Sequence, residues 1–206
     1  TRVMLSNVED NIYNPLQKFK NGENVDFKDN SILVGESLKL VNNMRMVFKN
    51  KASSNMLVIG NDEQKARTLF TFASISMALH KLSINGYKRP EKTPIYLLDY
   101  APIEEFYEKD VLLELSKMLP HYIKYVPFDD ANDVLAELYA NFTQREKGFA
   151  EKEDTYLLVY GLQRARDLRS NNIYQAKNDL DDFDEFGSST TQQLSVKPHE
   201  MFMNIL

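Results

Sequence analysis

Short apolar runs alternate along this chain with longer segments in which apolar residues recur at helical spacing. This alternation is typical of a mostly parallel sheet with helices on both of its faces. The run from Met56 to Ile59 is apolar throughout, as the buried central strand of such a sheet is. The other predicted strands are Ser31 to Val34, Met44 to Phe48, Pro94 to Asp99, Tyr122 to Val126 and Thr155 to Tyr160.

The helical segments differ in how much apolar surface they carry. From Gln64 to about Leu82 apolar residues occupy both faces, which predicts a helix enclosed between other elements. A helix from about Ile103 to Leu119 carries one apolar stripe, and the next helix follows a cap at Asp129 or Asp130. Pro198 begins the last predicted helix.

The pattern divides the chain into an arm and one larger domain. Residues 1–30 are polar and rich in Asn, Asp and Lys, so we expect an arm or the end of a preceding domain. Residues 31–206 hold the alternating strands and helices, which predicts one α/β domain with ample material for a core. Because Met201 to Leu206 have the pattern of the middle of a helix, we expect the sequence to be a fragment of a longer chain.

Composition narrows the classes of function. The chain has no cysteine, which excludes disulfides, thiolate metal sites and a thiol nucleophile. We expect a cytoplasmic protein without a membrane segment. The formal charge is -5, with +4 on residues 1–100 (14 basic, 10 acidic) and -9 on residues 101–206 (11 basic, 20 acidic). This charge argues against a broadly basic nucleic-acid surface. Many of the acids lie in residues 178–186, which we expect to form a solvated loop.

The segment around Gly60 has the layout of a phosphate-binding loop, with an apolar run, a glycine and a charged turn that begins a helix. An active loop ends in glycine, lysine and a serine or threonine, because amides and lysine bind phosphate and the hydroxyl holds magnesium. Counted from Gly60, these three positions hold Lys65, Ala66 and Arg67. We therefore interpret Gly60, Asn61, Lys65 and Arg67 as a vestigial loop.

The positions that would hold magnesium are altered as well. In active enzymes of this class a later apolar strand ends in an acid that positions the metal ion. At that place this chain has Tyr160 and Gly161. Asp99 ends another strand and is the better-placed carboxylate, although a cap or loop hydrogen bond is the simpler role for it. Asp62 and Glu63 put negative charge where an anion would lie.

Taken together, these segments resemble the C-terminal ATPase-like module of FtsK/SpoIIIE-domain proteins. The resemblance covers about residues 32–206 and is carried by Val34-Gly35-Glu36-Ser37, Asn55 to Gly60, Ile95 to Asp99, Leu157 to Arg164 and Asp167-Leu168-Arg169. It implies a RecA-like P-loop NTPase fold, tandem motor domains upstream, and a ring-forming or DNA-moving parent. This sequence departs from the family pattern both in the phosphate-binding loop, which lacks the lysine in register, and in the strand that should end in aspartate. The resemblance therefore implies a module that does not itself hydrolyse ATP.

Three arginines that follow the last strand are candidates for contacts with a neighbouring subunit or with DNA. Arg164, Arg166 and Arg169 could reach a neighbour's nucleotide or a DNA phosphate, although pairing with nearby acids is the simpler interpretation. Lys65 lies one position before the required lysine and is expected to be solvent-exposed. The three histidines have no ligand spacing, so no metal site is predicted.

Three hypotheses about function follow. The first is a non-hydrolysing module that serves assembly, DNA contact or partner contact, together with other ATPase domains of its parent chain in a homo-oligomeric ring. The second is a nucleotide-binding regulator or weak ATPase, in which Lys65 and Asp99 handle ATP and Mg²⁺. The third is a partner-recognition domain, like modules of secretion-type motors, whose vacated pocket takes a basic peptide through Asp62 and Glu63. The first and third need no cofactor in this domain.

Overall fold

The computed structural model describes residues 13–21, 23, 30–35, 44–49, 54–84, 90–101, 111–148, 154–169 and 196–206. The strands in these ranges are β1 Ser31–Gly35, β2 Met44–Val47, β3 Ile95–Asp99, β4 Ile123–Pro127 and β5 Tyr156–Tyr160. The helices are α1 Asn14–Lys20, α2 Glu63–Ile84, α3 Val111–Met118, α4 Ala131–Glu146 and α5 Pro198–Ile205. None of the helices within these ranges is long and apolar enough to cross a membrane.

The centre of the fold is a parallel sheet of three strands in the order β4–β3–β5. In this sheet Leu97 of β3 lies opposite Tyr125 of β4 and Leu158 of β5. The strands predicted after residue 90 are therefore confirmed, and so is the α/β class. Of the three strands predicted before residue 90, the first two form a separate antiparallel hairpin, in which Ile32 of β1 lies opposite Met46 of β2.

Helices cover both faces of this sheet because β3 is apolar on both sides. Ile95 and Leu97 point into a core shared with α2, α3 and the hairpin, whereas Tyr96 and Leu98 point into a core shared with α4 and α5. The side chains of Ile95, Leu97 and Leu98 are completely buried. A central strand of this kind reads as a continuous apolar run, which is why sequence alone located it.

Helix α2 is enclosed along its second half, as its two apolar faces predict. Residues 73–82 are all buried, with the hairpin on one side and the sheet on the other. The helix runs antiparallel to β5, because Phe70 meets the ring of Tyr160 at one end of that strand and Lys81 meets Asp154 at the other. Its N-terminus therefore lies at the carboxyl edge of the sheet.

The prediction of a buried central strand from Met56 to Ile59 is wrong. This segment pairs with no other strand in the described part of the chain, and Leu57, Val58 and Ile59 are 73%, 49% and 88% exposed. Only Met56 packs against the core. An apolar run specifies a preference for burial on two faces, but a strand also needs a neighbour for its backbone, and the run does not encode that neighbour.

Smaller predictions have mixed outcomes. Asp130 is the residue before α4, as predicted, yet its side chain makes no capping hydrogen bond. The expected polar arm contains α1. The first part of the helix predicted from Ile103, the acidic loop at 178–186 and most of residues 1–29 lie outside the described residues.

Tyr156 anchors the region of the hairpin to the sheet. Its hydroxyl donates a hydrogen bond of 2.7 Å to Oδ1 of Asn30, the residue before β1. The ammonium group of the buried Lys81 lies 5.5 Å from the centre of the Tyr156 ring and 3.4 Å from a carboxylate oxygen of Asp154. Burial, together with the negative charge of Asp154, raises the pKa of Tyr156 to about 12.

Replacing buried and exposed leucines tests the corrected fold. Leu98→Ala should lower the free energy of unfolding by about 2–5 kcal/mol, because it opens a cavity that the surrounding core fills only in part. Leu57→Ala makes the same chemical change on the 73% exposed side chain and should stay within about 0.5 kcal/mol. Urea unfolding followed by circular dichroism measures both values. Equal losses would show that the 56–59 segment is buried after all.

The raised pKa of Tyr156 predicts a loss of stability in alkali. The pKa of the Tyr156 phenol is about 12 in the folded state and 10.0 in the unfolded state. The protonated phenol therefore makes its full contribution to the free energy of unfolding below about pH 10, and this contribution is lost as the pH rises towards about 12. The Tyr156→Phe variant has no such proton. The stability difference between wild type and variant, measured by urea unfolding, should therefore shrink over that interval, and a constant difference would contradict the assignment.

Candidate functional site

Polar side chains converge at the carboxyl edge of the sheet, where ligands of open α/β sheets commonly bind. Asp99 ends β3 and Tyr160 ends β5, and the N-terminus of α2 arrives at the same edge. We call this region the ion-paired edge, after its three ion pairs: Arg67 with Asp99, Lys65 with Asp62, and Arg164 with Glu63.

Asp99 is a buried carboxylate at the centre of the ion-paired edge. It is 4% exposed. One of its oxygens accepts a hydrogen bond of 2.8 Å from the backbone N–H of Ala101, and the other accepts one of 3.0 Å from the hydroxyl of Tyr125. The guanidinium Nη1 of Arg67 lies 3.9 Å from the second oxygen. The simple role predicted for Asp99, a loop hydrogen bond, is thus present, and a cation accompanies it.

Arg67 of α2 places its guanidinium group between that helix and the strands β3 and β5. Its side chain is only 15% exposed, and its guanidinium carbon lies 4.9 Å from the centre of the Tyr160 ring. The ring of Phe70 lies nearly perpendicular to the same ring, with 5.5 Å between the centroids. Burial raises the pKa of the Tyr160 phenol, although the positive charge of Arg67 opposes that rise. The arginine is therefore fixed by a carboxylate on β3 and an aromatic face on β5.

The N-terminus of α2 is occupied by the chain's own carboxylate. Asp62 accepts a hydrogen bond of 3.0 Å from the backbone N–H of Lys65, and its other oxygen lies 2.9 Å from the Lys65 ammonium group. These contacts lower the pKa of Asp62 and raise that of Lys65. The amides of a first helical turn attract anions, so Asp62 takes the position that a phosphate would need.

A third ion pair joins the first turn of α2 to the turn after β5. Oε1 of Glu63 lies 2.8 Å from Nη2 of Arg164, and this hydrogen bond raises the pKa of the arginine. The side chains are 52% and 37% exposed, so solvent weakens the attraction. The pair nevertheless fixes where the start of α2 lies relative to β5.

The two glycines of the predicted loop and strand end differ in what they contribute. Gly161 has a positive φ of 75°, and a Cβ there would lie 3.3 Å from the carbonyl carbon of Tyr100, so the turn after β5 requires glycine. At Gly60 a Cβ would meet nothing within 4 Å, and the structure assigns it no positive φ. The local backbone therefore shows no geometric need for glycine at position 60.

The remaining sequence-predicted residues are less closely connected. Asn61 lies on the exposed turn before α2, and Lys65 is exposed, as expected. Arg166 is exposed, and Arg169 donates a hydrogen bond to the carbonyl oxygen of Gln163. Sequence reasoning missed Tyr125, which it placed within the strand from Tyr122 to Val126 and gave no role.

A magnesium-bound nucleotide would meet three cations at the ion-paired edge that already lie beside carboxylates. Each of the three cations at the ion-paired edge has its own carboxylate, so this set of six side chains carries no net charge. A polyphosphate would have to separate these pairs and displace Asp62 from the helix amides. In the described part of the chain, no cluster of three or more His, Asp or Glu side chains could hold a metal ion. What the edge can do chemically is to hold α2, β3 and β5 together.

Removing the central cation should destabilise the fold. Arg67→Met keeps the length of the side chain but leaves the Asp99 carboxylate buried without its positive partner. Because Asp99 keeps two hydrogen bonds, we expect a loss of about 1–3 kcal/mol in the free energy of unfolding, measured with urea. Lys117→Met removes the cation of an exposed pair with Glu114 and should cost less than about 0.5 kcal/mol. Similar losses for both variants would contradict this role for Arg67.

Comparison of the chain with protein-family models, with curated proteins and with solved structures gives no match.

Proposed function

We propose that this chain is a RecA-like, ATPase-like module of an FtsK/SpoIIIE-type DNA translocase that does not hydrolyse ATP. Its role is to complete the assembly of the motor and to contact DNA or a partner, while other domains of the parent chain turn over ATP. The observation that carries the proposal is the pair between Arg67 and Asp99, a guanidinium at the carboxylate best placed for magnesium.

The general layout of the fold supports this proposal. Three parallel strands lie between helices, and the helix after the loop segment begins at the carboxyl edge of the sheet. This is the general layout of a nucleotide-binding domain. Strand order alone does not assign an activity, so the side chains at that edge decide between the hypotheses.

The ion-paired edge explains how such a module can keep its shape without nucleotide. In an active phosphate-binding loop the bound phosphate satisfies the first helical amides and magnesium neutralises nearby carboxylates. Here Asp62 bonds an amide of the first turn, and Arg67 lies beside Asp99. The chain thus supplies internal substitutes for both ligands, which removes the need for either.

The two other hypotheses receive less support from the same contacts. A regulator or weak ATPase requires Lys65 and Asp99 to bind ATP and Mg²⁺, but they are engaged with Asp62 and Arg67. A basic peptide would have to compete with Lys65 for Asp62 and with Arg164 for Glu63. Each alternative must break a contact that the first hypothesis retains.

Calorimetry with Mg-ATP tests the proposed function. The native chain should give no saturable heat of binding at millimolar nucleotide, because no cation at the edge is available without breaking an ion pair. Asp62→Ala releases Lys65 and a helix amide, so weak binding of inorganic tripolyphosphate should appear in that variant.

The lysine provides the decisive control for this experiment. Like the native chain, the Lys65→Ala variant should bind no nucleotide. Lys117→Ala is the control variant, because it removes the same charge from a distant helix. Saturable Mg-ATP binding by the native chain that disappears in Lys65→Ala but persists in Lys117→Ala would overturn the proposal in favour of a nucleotide-binding domain.

A further inference from the structure

A second group of polar and aromatic side chains lies at the carboxyl edge of the sheet, on the face that α4 covers. Tyr100 follows β3, and its ring meets the ring of Phe128 nearly at right angles, with 5.7 Å between the centroids. Phe128 begins the short 3-10 turn Phe128–Asp130, which leads into α4. Oδ2 of Asp167, in the turn after β5, accepts a hydrogen bond of 3.0 Å from Nδ2 of Asn132 in α4. These contacts place the residues that follow β3, β4 and β5 beside the first turn of α4.

Carboxylates outnumber cations at this place. Four acids here are exposed, and none of them forms an ion pair with another residue of the described ranges: Asp129, Asp130, Asp133 and Asp167. The exposed Arg166 and Arg169 lie next to Asp167 in the chain, and four acids less these two arginines leave an excess of two negative charges. We call Tyr100, Phe128 and the four acids the acidic aromatic surface. Unlike the ion-paired edge, it is not neutralised by its own side chains.

The dipole of α4 accounts for only part of this excess. Acids at the start of a helix are stabilised by its positive end, which favours Asp129, Asp130 and Asp133. The side chain of Asp130 nevertheless makes no capping hydrogen bond. Asp167 belongs to a different turn, so the dipole does not explain why a fourth carboxylate lies there.

The hydroxyl of Tyr100 is buried without a hydrogen-bond partner in the described part of the chain. The residue is 4% exposed. Burial, together with the negative charge of Asp167, raises the pKa of this phenol to about 12. A buried hydroxyl without a partner lowers stability, and native proteins leave few such groups unless they have a use. A donor that enters beside Asp167 would give the hydroxyl oxygen a hydrogen bond and the carboxylate a positive charge.

A guanidinium group fits these acceptors better than other cations do. Its planar fork donates two parallel hydrogen bonds to a carboxylate and keeps further N–H groups for a neighbouring oxygen. It also stacks on aromatic rings, and Phe128 is 49% exposed. An ammonium group lacks this fork, and within the described ranges no group of three or more His, Asp or Glu side chains could hold a metal ion. The excess of negative charge repels polyphosphates and nucleic acid.

We propose that the acidic aromatic surface binds an arginine side chain of a basic partner polypeptide. The guanidinium stacks on Phe128, pairs with the carboxylate of Asp167 and donates a hydrogen bond to the hydroxyl oxygen of Tyr100. The exposed amide of Asn132 gives up Asp167 in this exchange and returns to water. The other three acids attract further basic residues of the partner. No residue of the ion-paired edge takes part, so this inference holds whether or not the proposed function is correct.

Titration of the 206-residue chain with short peptides tests the arginine site. The probe is acetyl-Gly-Arg-Gly-Arg-Gly-amide, and two further peptides carry lysine or the uncharged citrulline in place of arginine. The amide NMR signals of Phe128, Asn132 and Asp167 should shift with the arginine peptide and saturate at millimolar concentration. The lysine peptide should bind at least about threefold more weakly, and the citrulline peptide at least about tenfold, because the bidentate charged contact is reduced or lost.

Tyr100→Phe separates binding from folding. Because it removes a hydroxyl that has no partner, the urea midpoint should stay the same or rise. The affinity for the arginine peptide should nevertheless fall by about threefold to tenfold, since the bound guanidinium loses an acceptor. Tyr122→Phe makes the same change just before β4, at the opposite edge of the sheet, and should keep full affinity.

Asp167→Asn tests the carboxylate on an exposed side chain, where the substitution does not disturb the core. It should weaken binding of the arginine peptide by at least about tenfold. Glu114→Gln removes one negative charge from an exposed pair on α3 and serves as the control that keeps its affinity. This variant decides the question even if Tyr100→Phe does not fold.

Four results would overturn the proposal. The first is the absence of saturable shifts with the arginine peptide. The second is equal affinity for the arginine and lysine peptides, because the surface would then attract charge alone. The third is full affinity in Tyr100→Phe or in Asp167→Asn. The fourth is loss of binding in Asp62→Asn without loss in Asp167→Asn, because the peptide would then lie at the ion-paired edge.

Discussion

The contact between Arg67 and Asp99 is the interaction on which the carboxyl edge of this fold depends. A carboxylate as buried as Asp99 is costly unless a cation and hydrogen bonds compensate its lost hydration. Arg67 supplies the charge from α2, Tyr125 supplies a hydroxyl from β4, and Ala101 supplies a backbone amide. An arginine suits this place because its planar, weakly hydrated guanidinium also stacks on Tyr160 of β5. One buried charge thereby links a helix to all three strands of the sheet.

This internal neutralisation connects the structure to the proposed role. Sites that bind nucleotide keep helix amides and cations ready for an incoming polyphosphate, and they depend on that ligand for charge balance. At the ion-paired edge Asp62 and Asp99 balance Lys65 and Arg67 within the chain. The edge is therefore stable as it is, which suits a module whose duty is to keep its shape while other domains of a motor change state.

Sequence predicted the elements of the fold far better than their pairing. The apolar runs that became β3 and β5 and the two-faced helix α2 were recognised because packing on two faces leaves a strong pattern. The run from Met56 to Ile59 has the same pattern and was misassigned, since a strand also depends on a neighbour that the run does not encode. At the site, the sequence identified Arg67 and Asp99 as separate candidates. It did not predict their contact, because that contact joins distant parts of the chain. The same holds for Glu63 and Arg164, which are 101 residues apart.

A double-mutant cycle between Arg67 and Asp99 tests the central claim most directly. The free energy of unfolding is measured with urea for wild type, Arg67→Met, Asp99→Asn and the double variant, so that the interaction between the two side chains is separated from their other contacts. If this pair holds the edge together, the coupling energy should be about 1–3 kcal/mol in favour of the intact pair. A coupling energy near zero, with the two single losses simply adding, would contradict the account.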